Sequence, residues 1–116
     1  MIKMTLIKEN DLESIYSLNG LDFSENSYAV SAADGEEILG ICFFSINDTI
    51  CKIQKISCDD ASISDGITRA SLNAALNKGA INAEISAEVL NFLKKKSLSY
   101  ENDFSIVDFF ECKNCR

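Results

Sequence analysis

The sequence predicts a mixed α+β domain with a sheet that is antiparallel in its middle and parallel beyond it. Three observations carry this. Two strand-like runs, 27–33 and 37–46, flank Asp34-Gly35, the kind of pair that turns a hairpin. A third run, TICKIQKISC (49–58), follows the turn at Asn47-Asp48. A glycine then stands before a helix-like run, Ile67–Leu76, and another strand, AINAEI (80–85), comes after that helix.

Residues 2–7, IKMTLI, read as the first strand. Asn10-Asp11-Leu12-Glu13 has capping-box spacing and predicts a helix to about Leu18, with Leu12, Ile15 and Tyr16 as its apolar stripe. After the three central strands, the helix opening near Gly66 ends at Asn77-Lys78-Gly79, where glycine suits the left-handed C′ position. Ser86 caps a further helix, AEVLNFLKKK, and Lys94-Lys95-Lys96 falls at its cation-favouring end. LSYEN and FSIVDFFE read as two last strands. The expectation is about six or seven strands with helices on both faces.

A chain of 116 residues without proline, repeat or low-complexity tract is the size of one core, so 1–116 reads as a single domain. The formal charge of −7 with no basic stripe argues against nucleic acid. The N-terminus lacks a secretory pattern and no apolar run is long enough to span a membrane, so a cytoplasmic protein is expected.

Five cysteines, an odd number, point to thiols. Cys42, Cys51 and Cys58 lie in apolar strand-like runs and read as small buried hydrophobes. Cys112 and Cys115 form a C-x-x-C near the terminus. It reads as a tail, or as half of a metal or redox site shared between two chains; histidine is absent and no second ligand pair exists. A homodimer joined there, helped by FSIVDFF as an exposed edge strand, is one expectation.

The strongest candidate site is the junction SISDGITRASLNAAL, 62–76. A loop opening into a helix offers backbone N–H groups and a partial positive charge to phosphate. Ser64, Asp65, Gly66, Ile67 and Thr68 would supply those N–H groups and Arg69 would add charge. Asp60 and Asp65 oppose an anion. The plainer alternative makes Gly66 a turn residue, Ser64 or Asp65 an ordinary cap, and Arg69 an ion-pair partner of Asp65.

With Ile56-Ser57-Cys58 aligned on the end of a fourth strand and Gly66 eight residues on, the element order resembles the GNAT superfamily of N-acetyltransferases over nearly the whole chain. In that family a strand ending L-a-V precedes R/Q-x-x-G-x-G/A, whose amides hold the coenzyme A diphosphate while the splayed strand pairs with the pantetheine arm. The resemblance implies acetyl-CoA or another acyl-CoA bound along Ile56, Ser57, Cys58 and Ser64–Arg69, with transfer of the acyl group to an amine. Ile63 stands where the family has Arg or Gln, and Thr68 where it has the second glycine. The family's asparagine, general-acid tyrosine and Gly-Phe pair fall on Ser86, Leu93 and Ser97-Leu98, and Gln54 and Lys55 stand where a glutamate often serves as base. Tyr100 and Cys58 remain as acid or acyl-acceptor candidates without a motif, so no catalytic residue is assigned. A polyamine or lysine-bearing acceptor suits the acidic protein by steering. A non-catalytic binding or interaction module that keeps the fold is the alternative.

Overall fold

A computed structural model describes residues 1–111. It contains β1 (Ile2–Leu6), α1 (Glu9–Leu18), β2 (Ser27–Asp34), β3 (Glu37–Asn47), β4 (Ile50–Cys58), α2 (Ala61–Asn77), β5 (Asn82–Ile85), α3 (Ala87–Lys95), β6 (Asp103–Ser105) and α4 (Ile106–Glu111). The six strands form one sheet in chain order. All pairings are antiparallel except β4 with β5. This is the α+β architecture the sequence predicts, with α1 and α2 on opposite faces.

Alternation along β3 separates the two faces. Cys42 and Phe44 point into the larger core with Val30, Ile53, Ile56 and the inner stripe of α2. Phe43 points into a smaller one with Leu12, Tyr16 and Ala29. The Tyr16 hydroxyl sits between the carbonyls of Tyr28 (2.5 Å) and Phe44 (2.9 Å) and accepts from the Tyr28 N–H (3.1 Å). A buried phenol thereby ties α1 to the sheet with its polar atom satisfied.

The β3–β4 ladder slips by one residue: Phe43 faces Lys55 but Phe44 faces Ile53, leaving Gln54 as a bulge. The bulge shifts the alternation of β4 by one residue, so that Ile56 joins Cys51 and Ile53 in the α2 core. It also coincides with the end of the β4–β5 ladder, whose last pair is Ile53 with Ile85. From Gln54 on, no strand among the described residues pairs with β4 on its β5 side.

Four expectations need correction. α1 begins at Glu9, after Lys8, whose side chain makes no cap, so Asn10 is inside the first turn. α2 begins at Ala61 and runs through Gly66. LSYEN holds no strand. FSIVDFFE gives only two strand residues, Phe104 and Ser105, before turning helical at Ile106, where the Ser105 hydroxyl accepts the Asp108 N–H (3.3 Å) and Ile106 is fully buried. The edge strand is therefore the short β6, and the rest of the expected apolar edge is α4. Gly35 and Gly79 do take the positive φ expected of them, 63° and 101°.

Gly40 and Gly66 are both points of close approach, but only at Gly40 is the glycine required. A Cβ at Gly40 would lie 2.8 Å from the Cys58 Sγ, 2.9 Å from its Cβ and 3.3 Å from the Ser57 carbonyl oxygen. At Gly66 it would meet only the Cε of Met4, at 2.7 Å. That methyl ends a flexible, partly exposed side chain and can move aside, and alanine favours a helix interior by about 1 kcal/mol. We therefore expect Gly40→Ala to destabilise by about 1–3 kcal/mol in urea unfolding, and Gly66→Ala to be neutral or stabilising. The reverse order would contradict this packing.

Burial pushes the Cys42 and Cys51 thiols up from 9.0 to about 12, and the Tyr16 phenol from 10.0 to about 12. These groups are neutral in the fold and ionise more readily once unfolded. Their stabilising contribution is complete below about pH 9 and is lost as pH rises toward 12. Urea midpoints measured from pH 7 to 11 should be flat to about 9 and then fall; a midpoint still level at 11 would contradict the burial.

Candidate functional site

Each nominated residue can now be placed. Ile56, Ser57 and Cys58 close β4, at the unpaired stretch beyond the bulge. Ser64, Asp65, Gly66, Ile67, Thr68 and Arg69 lie in the second and third turns of α2. The expectation that they form a loop with open amides is therefore incorrect. The Ser64 N–H donates to the Asp60 carbonyl at 2.9 Å, and the following N–H groups belong to the helix ladder.

Asp60 causes the early start. Its extended backbone (φ −88°, ψ 132°) is that of an N-cap, and its Oδ1 accepts the Ile63 N–H at 2.9 Å. Ala61 and Ser62 are the remaining first-turn donors. A carboxylate thus already stands at the positive end of the helix, with Asp59 beside it, where a phosphate would have to come. The residues do not fit a coenzyme diphosphate in the manner the resemblance implied.

The inner face of α2 is Ser64, Ile67, Thr68, Ser71, Leu72 and Ala75. Small hydroxyls let the helix lie close to the sheet. Thr68 Oγ1 donates to the Ser64 carbonyl and Ser71 Oγ to the Ile67 carbonyl, both at 2.7 Å. On its outer side, Asp65 accepts from Arg69 Nε (2.9 Å) and from the Tyr100 hydroxyl (2.5 Å). The Arg69–Asp65 ion pair at helical spacing is thus present, and both groups are committed to each other. Burial first, and then donation to the Asp65 carboxylate, raises the Tyr100 pKa, so this phenol holds its proton and is a poor general acid.

The other positions that the resemblance implies are placed as follows. Leu93, at the family's tyrosine position, is fully buried in the core. Gln54 Nε2 donates to Ser45 Oγ (3.3 Å) and Lys55 Nζ to the Asn19 carbonyl (3.0 Å). Cys58 is partly buried, its Sγ 3.5 Å from the Asp60 carbonyl. It borders a shallow cavity of about 200 Å³ between Ile38–Ile41 and Ser57–Asp59, on the β3 side of β4 and away from the unpaired edge.

α3 is capped as expected, the Ser86 hydroxyl accepting the Val89 N–H, and it packs against β4. Lys94 and Lys95 occupy its last turn. Lys96 follows, donating to the Asp59 carbonyl at 2.5 Å. Cys112 and Cys115 lie outside the described residues. Among the described residues no group of three His, Cys, Asp or Glu could hold a metal, and no helix is long and apolar enough to cross a membrane.

Sequence reasoning named Asp60 and Lys96 but missed the roles they take, as the cap of α2 and as a donor to the Asp59 carbonyl. Asp60 stands before Ala-Ser-Ile, an N-cap signal that was legible, but the inner stripe it opens begins with serine and threonine and hides the helical period. The Lys96 contact joins residues 37 apart and leaves no local trace.

No protein-family model matches the sequence, and no curated protein does. Solved structures do match in shape. A probable acetyltransferase from Staphylococcus epidermidis gives a TM-score of 0.65 at 12% identity, covering 90% of this chain and 99% of that one. An acetyltransferase from Bacillus subtilis in complex with CoA gives 0.56 at 16% identity, over 84% and 76% of the two chains. A transcriptional regulator from Bacillus halodurans gives 0.58 at 13%, over 87% and 95%. At such identities the likeness is one of architecture, and on that basis the chain has the fold of the GNAT acetyltransferases.

Proposed function

We propose that this chain uses the GNAT fold as a binding or interaction module and does not carry out acyl-CoA chemistry. One observation supports the reading above others: α2 starts at Ala61 behind the Asp60 cap, so the stretch that would wrap a diphosphate is helix with its N–H groups spent. The two described residues considered for protonating the departing thiolate do not serve it either. Tyr100 is tied to Asp65 and Leu93 is aliphatic.

A second reading has its own support. β4 keeps an unpaired side from Gln54 to Cys58, where an extended pantetheine arm would pair, and a structure of similar shape was solved with CoA. Under it, acetyl-CoA binds along Ile56 to Arg69 and an acetyl group passes to a cationic amine such as a polyamine or a lysine-bearing partner, steered by the net charge of −7.

Calorimetric titration of acetyl-CoA separates them. Ala61→Pro is the informative variant, because proline is favoured at the first helical position and removes one of the two open N–H groups without harming the helix. We expect no saturable binding below about 1 mM, the scale of a contact worth about 4 kcal/mol, in either protein. Micromolar binding that Ala61→Pro weakens would overturn the proposal and establish the second reading.

A further inference from the structure

Among the described residues β1 pairs with β2 alone and forms one edge of the sheet. The Ile7 N–H donates to the Ala29 carbonyl at 2.8 Å and extends the β1–β2 register by one pair. Hydrogen-bonded pairs alternate along an antiparallel ladder, so Lys3, Thr5 and Ile7 turn their backbone groups toward β2. Ile2, Met4 and Leu6 turn theirs outward, away from the sheet.

The same three residues are apolar and stand on the α2 face of the sheet. Met4 lies against Gly66, and Met4 and Leu6 stand opposite Ala32 and Val30, both members of the α2 core. α2 leaves them partly uncovered: Ile2 is 45% exposed, and Met4 and Leu6 38% each. Natural edge strands usually blunt such an edge with bulges, prolines or inward charges, and β1 has none of these on this face. Charge also sets this edge apart. The chain holds 18 acidic residues, yet none stands between Met1 and Lys8. Asp34, opposite Ile2 on β2, is engaged by the Met1 ammonium at 3.1 Å.

We propose that the occupant of this edge is a second copy of the chain, its β1 running antiparallel to the first about a two-fold axis at Met4. The strand is complementary to itself in that register. Ile2 of one copy meets Leu6 of the other, Met4 meets Met4, and Lys3 meets Thr5, so the apolar side chains of both copies form one strip and no like charges stand directly opposite. The outward N–H and C=O groups of Ile2, Met4 and Leu6 bond their counterparts across the axis. Other registers lose this match. An axis at Lys3 sets lysine against lysine, one at Thr5 pairs Ile2 with Lys8 beyond the end of the strand, and one between residues sets each apolar side chain against a polar one. Each copy carries a charge of −7, and an edge without carboxylates lets two of them approach. The inference goes beyond the reading of the α2 corner and does not depend on it.

Sedimentation equilibrium of the full chain tests this, in reductant so that no disulfide links the copies, at concentrations from about 10 μM to about 1 mM. A short edge contact is weak, and we expect half-dimerisation on the order of 0.1 mM. Met4→Lys sets two ammonium groups face to face on the axis and should weaken association by roughly tenfold or more. Ile81→Lys, at an exposed apolar position beside the opposite edge, should leave it unchanged. Amide exchange of the wild type, measured by NMR at low and high concentration, gives a readout that needs no variant. The Met4 and Leu6 amides should slow severalfold as dimer forms, while the Thr5 amide, held by β2, keeps its rate. A monomer throughout the range, a dimer indifferent to Met4→Lys or abolished by Ile81→Lys, or Met4 and Leu6 amides that exchange at one rate whatever the concentration would each overturn the proposal.

Discussion

The hydrogen bond from the Ile63 N–H to the Asp60 carboxylate decides the character of this molecule. An N-cap both satisfies an open donor and brings a negative charge to the positive end of the helix dipole. Moving the cap to residue 60 lets α2 start three residues after β4 ends and run for 17 residues. What would otherwise be a backbone cradle becomes ordinary helix, and the charge a bound anion would supply is supplied from within. Asp65 repeats the pattern one turn further on, since its carboxylate already holds Arg69 and Tyr100.

The sheet follows a separate constraint. The bulge at Gln54 bends β4 and ends its pairing with β5, so the sheet opens at that point whatever happens at α2. Opening a sheet leaves backbone groups without strand partners, and α3 packs against β4. Gly40 belongs to the same corner, since the Cys58 side chain fills the place of its missing Cβ. The molecule thus keeps the GNAT architecture while two carboxylates of this corner are engaged within the chain, Asp60 as the cap of α2 and Asp65 with Arg69 and Tyr100.

Much of this was legible in the sequence. The hairpin at Asp34-Gly35, the serine cap at Ser86 and the glycine after α2 each declare themselves through a local chemistry with few alternatives, and each is found. The antiparallel centre and the parallel strand after α2 followed from the order of the elements. The start of α2 was misread because a glycine in a strand-to-helix junction suggests a turn, whereas Gly66 is helical and its missing side chain makes room for Met4. FSIVDFF was misread because its phenylalanines carry strand propensity, and only tertiary burial of Ile106 and stacking of Phe109 on Tyr100 turn it into a helix. Of the nine nominated site residues, the three ending β4 do border the opened sheet; the six on α2 share its first half but offer no loop.

The central claim is that residues 61–69 are continuous helix in solution. Backbone Cα chemical shifts measure this residue by residue. The account predicts helical shifts from Ala61 through Arg69 without interruption at Gly66, together with a protected Ile63 amide. Coil-like shifts over Ala61–Asp65, with helical values beginning only after Gly66, would contradict it.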